Sequence, residues 1–206
     1  MKNITINKKE IDKFSKLASE WWNPNGKFKP LHKFNPVRLE YIKESVTKEF
    51  KKKRINHSLN NIKILDIGCG KGFLMHDFTL AVPGVEVFGL DISEYAKTHS
   101  KEEISESITI GNASNLPWGD DSFDFVVSIN TLHNLPNYDL DSALREIQRV
   151  GKEKKYLCVE SYRNENEKAN LLYWQLTCEA FCSPKEWEWW FEKTGYSGDH
   201  SFIYFE

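Results

Sequence analysis

The most informative stretch of this sequence is Lys63-Ile64-Leu65-Asp66-Ile67-Gly68-Cys69-Gly70-Lys71-Gly72-Phe73-Leu74. The residues from Ile62 to Ile67 are apolar except at Lys63 and Asp66. This pattern predicts a strand that is buried on both faces. Three glycines at alternate positions then lead into an amphipathic helix. Glycine permits a positive φ and has no Cβ, so a ligand can lie directly on the main chain beside the helix N-terminus. The stretch therefore predicts a strand-turn-helix unit that binds a ligand.

The spacing of the glycines separates two kinds of nucleotide site. A dinucleotide fingerprint, G-x-G-x-x-G, would need glycine at position 73, where this chain has Phe73. The pattern here is D-x-G-x-G-x-G, and the next predicted strand, Val85 to Asp91, ends in a carboxylate that can bind both ribose hydroxyls of a nucleoside. Asp66, at the mouth of the first strand, can accept hydrogen bonds from a cationic or hydroxyl-bearing ligand. A ligand-free crossover could use the glycines alone, but the combination with Asp91 favours a nucleoside site.

These motifs resemble the first two motifs of class I S-adenosylmethionine (SAM) methyltransferases. The resemblance implies SAM as the cofactor and an α/β, Rossmann-like fold with a mostly parallel sheet. A more specific likeness, to the entry region of the O-methyltransferases of ubiquinone biosynthesis, is carried by Phe14-Ser15-Lys16-Leu17-Ala18-Ser19-Glu20-Trp21-Trp22, Phe28-Lys29-Pro30-Leu31-His32 and Asn35-Pro36-Val37-Arg38-Leu39. It implies that Arg38 reaches SAM. Apolar spacing predicts an amphipathic helix over residues 8–22 and a second helix from Pro36 to about Phe50, and we expect residues 1–54 to form a helical lid over the cofactor. An exposed cation at Arg38, and core packing of Trp21 and Trp22, are the alternatives.

A third motif carries the adenine side of the expected site. The stretch from Gly111 to Asp124 resembles the methyltransferase pattern G-D-A-x-x-L-P-F-x-D-x-S-F-D, with Asn112 where the pattern has Asp. The Asn112 carbonyl can still accept from the adenine amino group, at a cost of about 1 kcal/mol in cofactor affinity. By the resemblance, the main-chain N–H of Ala113 faces an adenine ring nitrogen. The full set of expected cofactor-binding residues is Arg38, Asp66, Gly68, Gly70, Asp91, Ile92, Asn112, Ala113 and Ile129.

The segment after the fourth predicted strand, which ends at Ile129, departs from the ubiquinone enzymes. They carry Glu-x-x-Glu-His there, a set associated with a divalent metal, whereas this chain has Asn130, His133 and Asn134. Because hard cations need carboxylate ligands, we expect no metal. His133 is the candidate catalytic base, since its ordinary pKa of about 6.5 suits proton removal near neutral pH. The alternative is a packing histidine, in which case Tyr162 and Glu160 are the next candidates.

Composition bounds the remaining possibilities. The chain has 206 residues, 40% of them hydrophobic, with a net charge of -2 and a pI near 6.3, so we expect one domain and no nucleic-acid partner. Neither a signal peptide nor a membrane span is predicted, which indicates a cytoplasmic protein. The four cysteines lack zinc-site spacing and are expected to be buried thiols. Oligomeric state is left open.

The C-terminal third predicts the side of the site that faces the methyl acceptor. A helix from Asp139 to Val150 and a strand from Lys155 to Glu160 precede an insertion at residues 165–182, helical around Leu171 to Phe181. We expect the insertion to be the acceptor wall. A capping box at Ser183 starts a last helix, and a weakly alternating strand from Ser201 to Phe205 completes the fold with a shortened C-terminal end.

Within one domain over residues 1–206, we therefore expect a lid (1–54), a SAM-binding core (62–160) and an acceptor-side segment (161–206). The predicted function is methyl transfer from SAM to a small molecule, with a hydroxyl as the favoured acceptor. An amine or sugar hydroxyl, as in surface-polysaccharide pathways, is the second hypothesis. A SAM-binding protein without transferase activity is the third.

Overall fold

The computed structural model describes residues 61–174 and 177–206, together with Asn25, Glu40 and Glu44. The chain divides into two compact units, Met1–Glu49 and Phe50–Glu206. In the first unit three residues are described, two of which, Glu40 and Glu44, are helical. The architecture below is that of the second unit.

Several predictions from the N-terminal segment fall outside the described residues. They are the helical lid over residues 1–54, the cofactor contact of Arg38, and the roles of Trp21 and Trp22. The single domain over residues 1–206 likewise stays a prediction.

The strands of the second unit form one six-stranded sheet in the order β3-β2-β1-β4-β5-β6, and every neighbouring pair is parallel. The strands are β1 (Lys63–Ile67), β2 (Glu86–Asp91), β3 (Ile108–Ile110), β4 (Phe123–Ile129), β5 (Gly151–Glu160) and β6 (Asp199–Ile203). Parallel neighbours require crossover connections, which here contain most of the helices. The strand order reverses between β1 and β4, and in open α/β sheets ligands bind at the carboxyl ends of the strands beside such a reversal.

Helices occupy both the long and the short connections. They are α1 (Phe73–Ala81), α2 (Glu94–Thr98), α3 (Glu102–Ser105), α4 (Asn137–Val150), α5 (Glu165–Trp174) and α6 (Pro184–Thr194), with a 3-10 turn at Leu132–Asn134. The predicted capping box of α6 is confirmed, since the Ser183 side chain and that of Glu186 bond each other's main chain. None of the helices in residues 61–174 and 177–206 combines the length and apolar character needed to cross a bilayer.

The core lies on the face of the sheet covered by α4 and α6. Leu140, Ala143, Leu144 and Ile147 of α4 are fully buried, as their 3.6-residue spacing predicts. Trp187 of α6 is also fully buried, and its indole N–H donates to the main-chain oxygen of Glu160. These two helices therefore anchor the end of β5, from which the acceptor-side segment departs.

The prediction of a helix from Leu171 to Phe181 is wrong in its second half. Helix α5 ends at Trp174, and residues 177–182 are not helical. Cys178, Ala180 and Cys182 are buried whereas Glu179 is exposed, which is the alternation of an extended segment. The spacing of the two cysteines, one helical turn apart, is therefore explained by burial of every second residue.

Candidate functional site

The turn after β1 exposes bare main chain at the carboxyl edge of the sheet. Gly68 and Gly70 have φ values of 75° and 55°, in the left-handed region that favours glycine. A Cβ on Gly68 would overlap the Oγ1, Cγ2 and Cβ atoms of Thr131, which follows β4. At Gly70, no heavy atom of the described chain lies within 4 Å of the Cβ position. Gly68 therefore allows close packing inside the protein, whereas Gly70 leaves an open surface on which a ligand can lie.

Asp91 ties the end of β2 to this turn. Its Oδ2 atom accepts a hydrogen bond from the Gly70 N–H at 2.8 Å, and its Oδ1 atom accepts one from the Ser93 N–H at 2.9 Å. A carboxylate has about four lone-pair sites, so each oxygen can accept one further hydrogen bond. Asp91 thus holds the glycine turn in place and can still bind two hydroxyls.

Asp66 is more deeply buried than Asp91 and lies in a different chemical setting. Its side chain is 5% exposed. Burial, followed by the nearby negative charge of Asp91, raises the pKa of Asp66 to about 7. A carboxylate in this environment is ready to pair with a cationic ligand group, which would repay the cost of its burial.

The adenine side of the expected site is formed by Ile92 and the loop after β3. Ile92 directly follows Asp91 and is 74% exposed, an unusual exposure for an isoleucine and one that offers an apolar surface to a flat ring. The Asn112 carbonyl accepts a hydrogen bond from the Ser114 N–H at 3.0 Å, and Ala113 is buried between them. The Asn112 oxygen therefore shapes its own loop and retains one lone pair for a ligand.

Two residues that the sequence did not single out hold this loop in place. The Arg149 guanidinium donates to the main-chain oxygens of Leu116 and Trp118, to Asp120 and to Glu146. Glu146 also accepts from the Leu116 N–H at 2.8 Å. Pairing with Glu146 and Asp120 raises the pKa of Arg149, whereas hydrogen bonds from Arg149 lower that of Glu146. Their spacing of three residues on α4 is a sequence signal for an ion pair, but the partner loop is 30 residues away.

The predicted catalytic base, His133, is buried in the 3-10 turn after β4 and is 1% exposed. Its Nδ1 atom accepts from the Glu160 N–H at 3.4 Å, and its Nε2 atom lies 3.4 Å from Glu160 Oε2. Burial lowers the pKa of His133 to about 4. Both ring nitrogens face Glu160, so this geometry favours the packing role over proton removal from a ligand.

The extended segment at residues 177–182 is hydrogen-bonded to the turn that carries this histidine. The main-chain N–H groups of Glu179 and Ala180 both donate to the His133 oxygen at 2.9 Å, and Thr177 donates to the Asn134 side chain at 2.9 Å. Further along, Ser161 donates to the Cys182 oxygen. We call residues 177–182 the strap. It lies across the ends of β4 and β5, where the sequence predicts the acceptor wall.

The other candidate bases differ in access. Glu160 is 2% exposed and faces His133, whereas Tyr162 is half-buried and its hydroxyl donates weakly to Glu186 at 3.5 Å. Asn130, at the end of β4, has a left-handed φ of 56°, a strained conformation of the kind that concentrates at functional sites. Within residues 61–174 and 177–206, no cluster of His, Cys, Asp or Glu has the arrangement of a metal site. Ile129 is the last residue of β4 and directly precedes Asn130.

The curated relatives are O-methyltransferases by name. A ubiquinone biosynthesis O-methyltransferase of Pelagibacter ubique (strain HTCC1062) is 55% identical over 102 residues, which are 48% of this chain and 42% of the relative. One of Agrobacterium fabrum (strain C58 / ATCC 33970) is 40% identical over 142 residues, which are 66% of this chain and 56% of the relative. The chain thus spans about half the length of the curated relatives it matches.

The fold is shared with solved methyltransferase structures, which confirms the predicted Rossmann-like class I architecture. A proposed methyltransferase of Bacillus halodurans C-125 aligns with a TM-score of 0.54 and 22% identity, covering 67% of this chain and 64% of the other. The family model described as "Methyltransferase domain" matches residues 58–195. This region contains the glycine turn, Asp91, the loop after β3 and the strap. Because it is more than half of the sequence, the chain belongs to the methyltransferase domain family.

Proposed function

We propose that this chain is a SAM-dependent methyltransferase that acts on a hydroxyl group of a small molecule. The observation that carries the proposal is the pairing of open main chain at Gly70 with the Asp91 carboxylate, hydrogen-bonded to each other across the ends of two adjacent strands. Bare main chain accommodates the amino-acid part of a nucleoside cofactor, and the carboxylate accepts from its ribose.

The residues of the cleft fit the parts of SAM in turn. Asp91 would accept from the ribose hydroxyls, and the exposed side chain of Ile92 would pack against the adenine ring. Asn112 and Ala113 would meet the polar edge of the ring. Asp66 suits the ammonium of the methionine part, because a buried carboxylate gains most from a cationic partner. Main chain at Gly68, Gly70 and Ile129 completes the set, and Arg38 belongs to the proposal by resemblance alone.

The chemistry needs positioning more than activation. Bound SAM supplies an electrophilic methyl group on a positively charged sulfur. The chain's own residues orient the acceptor in line with that methyl, exclude water, and allow the hydroxyl proton to leave as the new C–O bond forms and the C–S bond breaks. His133 remains the proposed base only if its ring, which is buried against Glu160 in this structure, becomes accessible to the acceptor.

The hydroxyl is favoured because the matched relatives carry the name O-methyltransferase. They match about half of their own length, so the identity of the acceptor is part of the proposal. We further propose a cytoplasmic protein that uses no nucleic-acid substrate, in keeping with its net charge of -2.

The test combines binding with turnover. Calorimetry should detect SAM binding, and the protein should release S-adenosylhomocysteine when supplied with SAM and one member of a panel of phenolic, amine and nucleotide-sugar acceptors. Asp91→Ala is the negative variant, and Glu188→Gln on the exposed face of α6 is the matched control. Failure of SAM to bind contradicts the proposal. Turnover with amines alone would reassign it to N-methylation, and binding without turnover on any acceptor would leave a SAM-binding protein.

A further inference from the structure

Two carboxylates lie close together at the carboxyl edge of the sheet. In the register of β1 with β2, Asp66 lies opposite Gly89, and Asp91 is two residues further along the same strand. Residues two apart in a strand point to the same face, so both carboxylates lie on one face of the sheet. Gly89 between them has no side chain of its own, and the sulfur atoms of Met75 and Cys69 occupy the space over it.

The two carboxylates differ in the hydrogen bonds that they accept. Asp91 accepts two main-chain hydrogen bonds, from the N–H groups of Gly70 and Ser93. Asp66 is 5% exposed, and within the described chain only burial and the charge of Asp91 shift its titration, with no hydrogen bond contributing. Asp66 is therefore the carboxylate that holds a proton, because burial and, less strongly, the negative charge of Asp91 both disfavour its charged form.

Among residues 61–174 and 177–206, the other groups around Asp66 do not neutralise its charge. On β4 it lies opposite the apolar Val127. In the glycine turn, burial and then the charges of Asp66 and Asp91 raise the pKa of the Cys69 thiol, which therefore stays protonated. The ammonium of Lys71, in the same turn, lies 5.4 Å from the ring centre of Tyr95. Burial raises the pKa of Asp66 to about 7, with Asp91 adding to the effect, so the proton is exchangeable near neutral pH.

We infer that Asp66 couples cofactor binding to release of a proton: the ammonium of the incoming ligand takes the place of the proton on the Asp66 carboxylate, which passes to solvent. This inference rests on the proposed function, because it needs SAM to bind in the cleft. No covalent bond changes, and the ligand keeps its own charge. The affinity for SAM should therefore rise with pH until Asp66 is fully ionised.

The size of the effect follows from the fraction of Asp66 that is ionised before binding. With a pKa of about 7, that fraction is about 0.09 at pH 6 and about 0.5 at pH 7. Apparent affinity scales with the competent fraction, so binding should tighten about fivefold between these two pH values. Proton release should be about 0.9 per SAM bound at pH 6 and about 0.5 at pH 7. An α-amino group has an ordinary pKa near 8, so the ligand stays mostly charged over this range.

The experiment is calorimetric titration with SAM at pH 6 and pH 7, each in two buffers of different ionisation enthalpy, which yields the number of protons released. Asp66→Asn, which resembles the protonated state, should bind SAM with no proton release and with little change in affinity between the two pH values. Glu188→Gln should behave as the wild type.

The outcomes separate the inference from the proposed function. SAM binding by the wild type without proton release at pH 6 overturns the inference and leaves the proposed function intact, whether or not Asp66→Asn folds. An unchanged pH slope in folded Asp66→Asn also overturns it, by assigning the proton to another group. No SAM binding at either pH overturns both.

Discussion

The two glycines of the turn after β1 should respond differently to the same substitution. Both have left-handed φ values, so alanine at either position costs about 1–2 kcal/mol in backbone strain. Alanine at Gly68 also overlaps the Thr131 side chain, and overpacking of this kind adds about 1–3 kcal/mol. We therefore expect a loss in the free energy of unfolding of about 1–2 kcal/mol for Gly70→Ala and about 2–5 kcal/mol for Gly68→Ala.

The effect on SAM binding should have the opposite order, with Gly70→Ala weakening it more than Gly68→Ala. No heavy atom of the described residues lies within 4 Å of the Cβ position of Gly70, where we propose that SAM lies, so Gly70→Ala should weaken SAM binding out of proportion to its small effect on stability. Chemical denaturation gives the first quantity and calorimetry the second. Gly70→Ala is thus the matched control for Gly68→Ala in denaturation.

A second substitution isolates the overlap. Thr131→Gly removes all three atoms that a Cβ on Gly68 would meet. In a double-mutant cycle, Gly68→Ala should be less destabilising by about 1–3 kcal/mol when Thr131 is already Gly. The reasoning is refuted if Gly68→Ala and Gly70→Ala differ by less than about 0.5 kcal/mol, or if the cycle shows no coupling.

Three further predictions concern the site. Asp91→Ala should weaken SAM binding at least about tenfold, because hydrogen bonds to a carboxylate are worth about 1.5–3 kcal/mol each; wild-type affinity in calorimetry would reject the assignment. Burial lowers the pKa of His133 from its ordinary 6.5 to about 4. As the pH drops, this side chain therefore takes up a proton in the unfolded chain before it does so in the folded chain, and the free energy of unfolding should fall between about pH 6.5 and pH 4. Chemical denaturation across that range should show that the free energy of unfolding of His133→Asn depends less steeply on pH than that of the wild type. A loss of turnover of about 10²–10⁴-fold in the folded variant would instead support His133 as the base. Activity should survive EDTA, because Asn130, His133 and Asn134 replace an acidic metal-binding set; loss of activity that magnesium restores would contradict this.

The parts of the fold that depend on local pattern could be predicted from the sequence. The buried strand β1, the glycine turn and the carboxylate at Asp91 follow from apolar runs and glycine spacing, and they lie as expected. The inward face of α4 follows from its 3.6-residue period in the same way. In each case one segment contains all the information that the prediction needs.

The parts that depend on contacts between distant segments could not be predicted. His133 is buried against Glu160, 27 residues away in sequence, and its main-chain oxygen accepts hydrogen bonds from the strap, more than 40 residues away. The helical prediction for the strap failed because Cys178 and Cys182 fit a helical period as well as an alternating one. The contact of Thr131 with Gly68 is invisible in either segment alone, since it joins the ends of β1 and β4.

The loop after β3 and the strap are attached to different parts of the fold, and this affects how a bound molecule could exchange. Side-chain hydrogen bonds from Arg149 and Glu146 attach the loop after β3 to α4, whose apolar face is fully buried. The strap is attached to the turn at His133 by two main-chain hydrogen bonds and one exposed side-chain hydrogen bond, and its C-terminal end is held by the Ser161 hydroxyl and by the burial of Ala180 and Cys182. Fluctuations that lift the strap therefore need not disturb the loop. If the proposed site assignment holds, an acceptor molecule beside the strap could exchange while the loop after β3 keeps its contacts with α4.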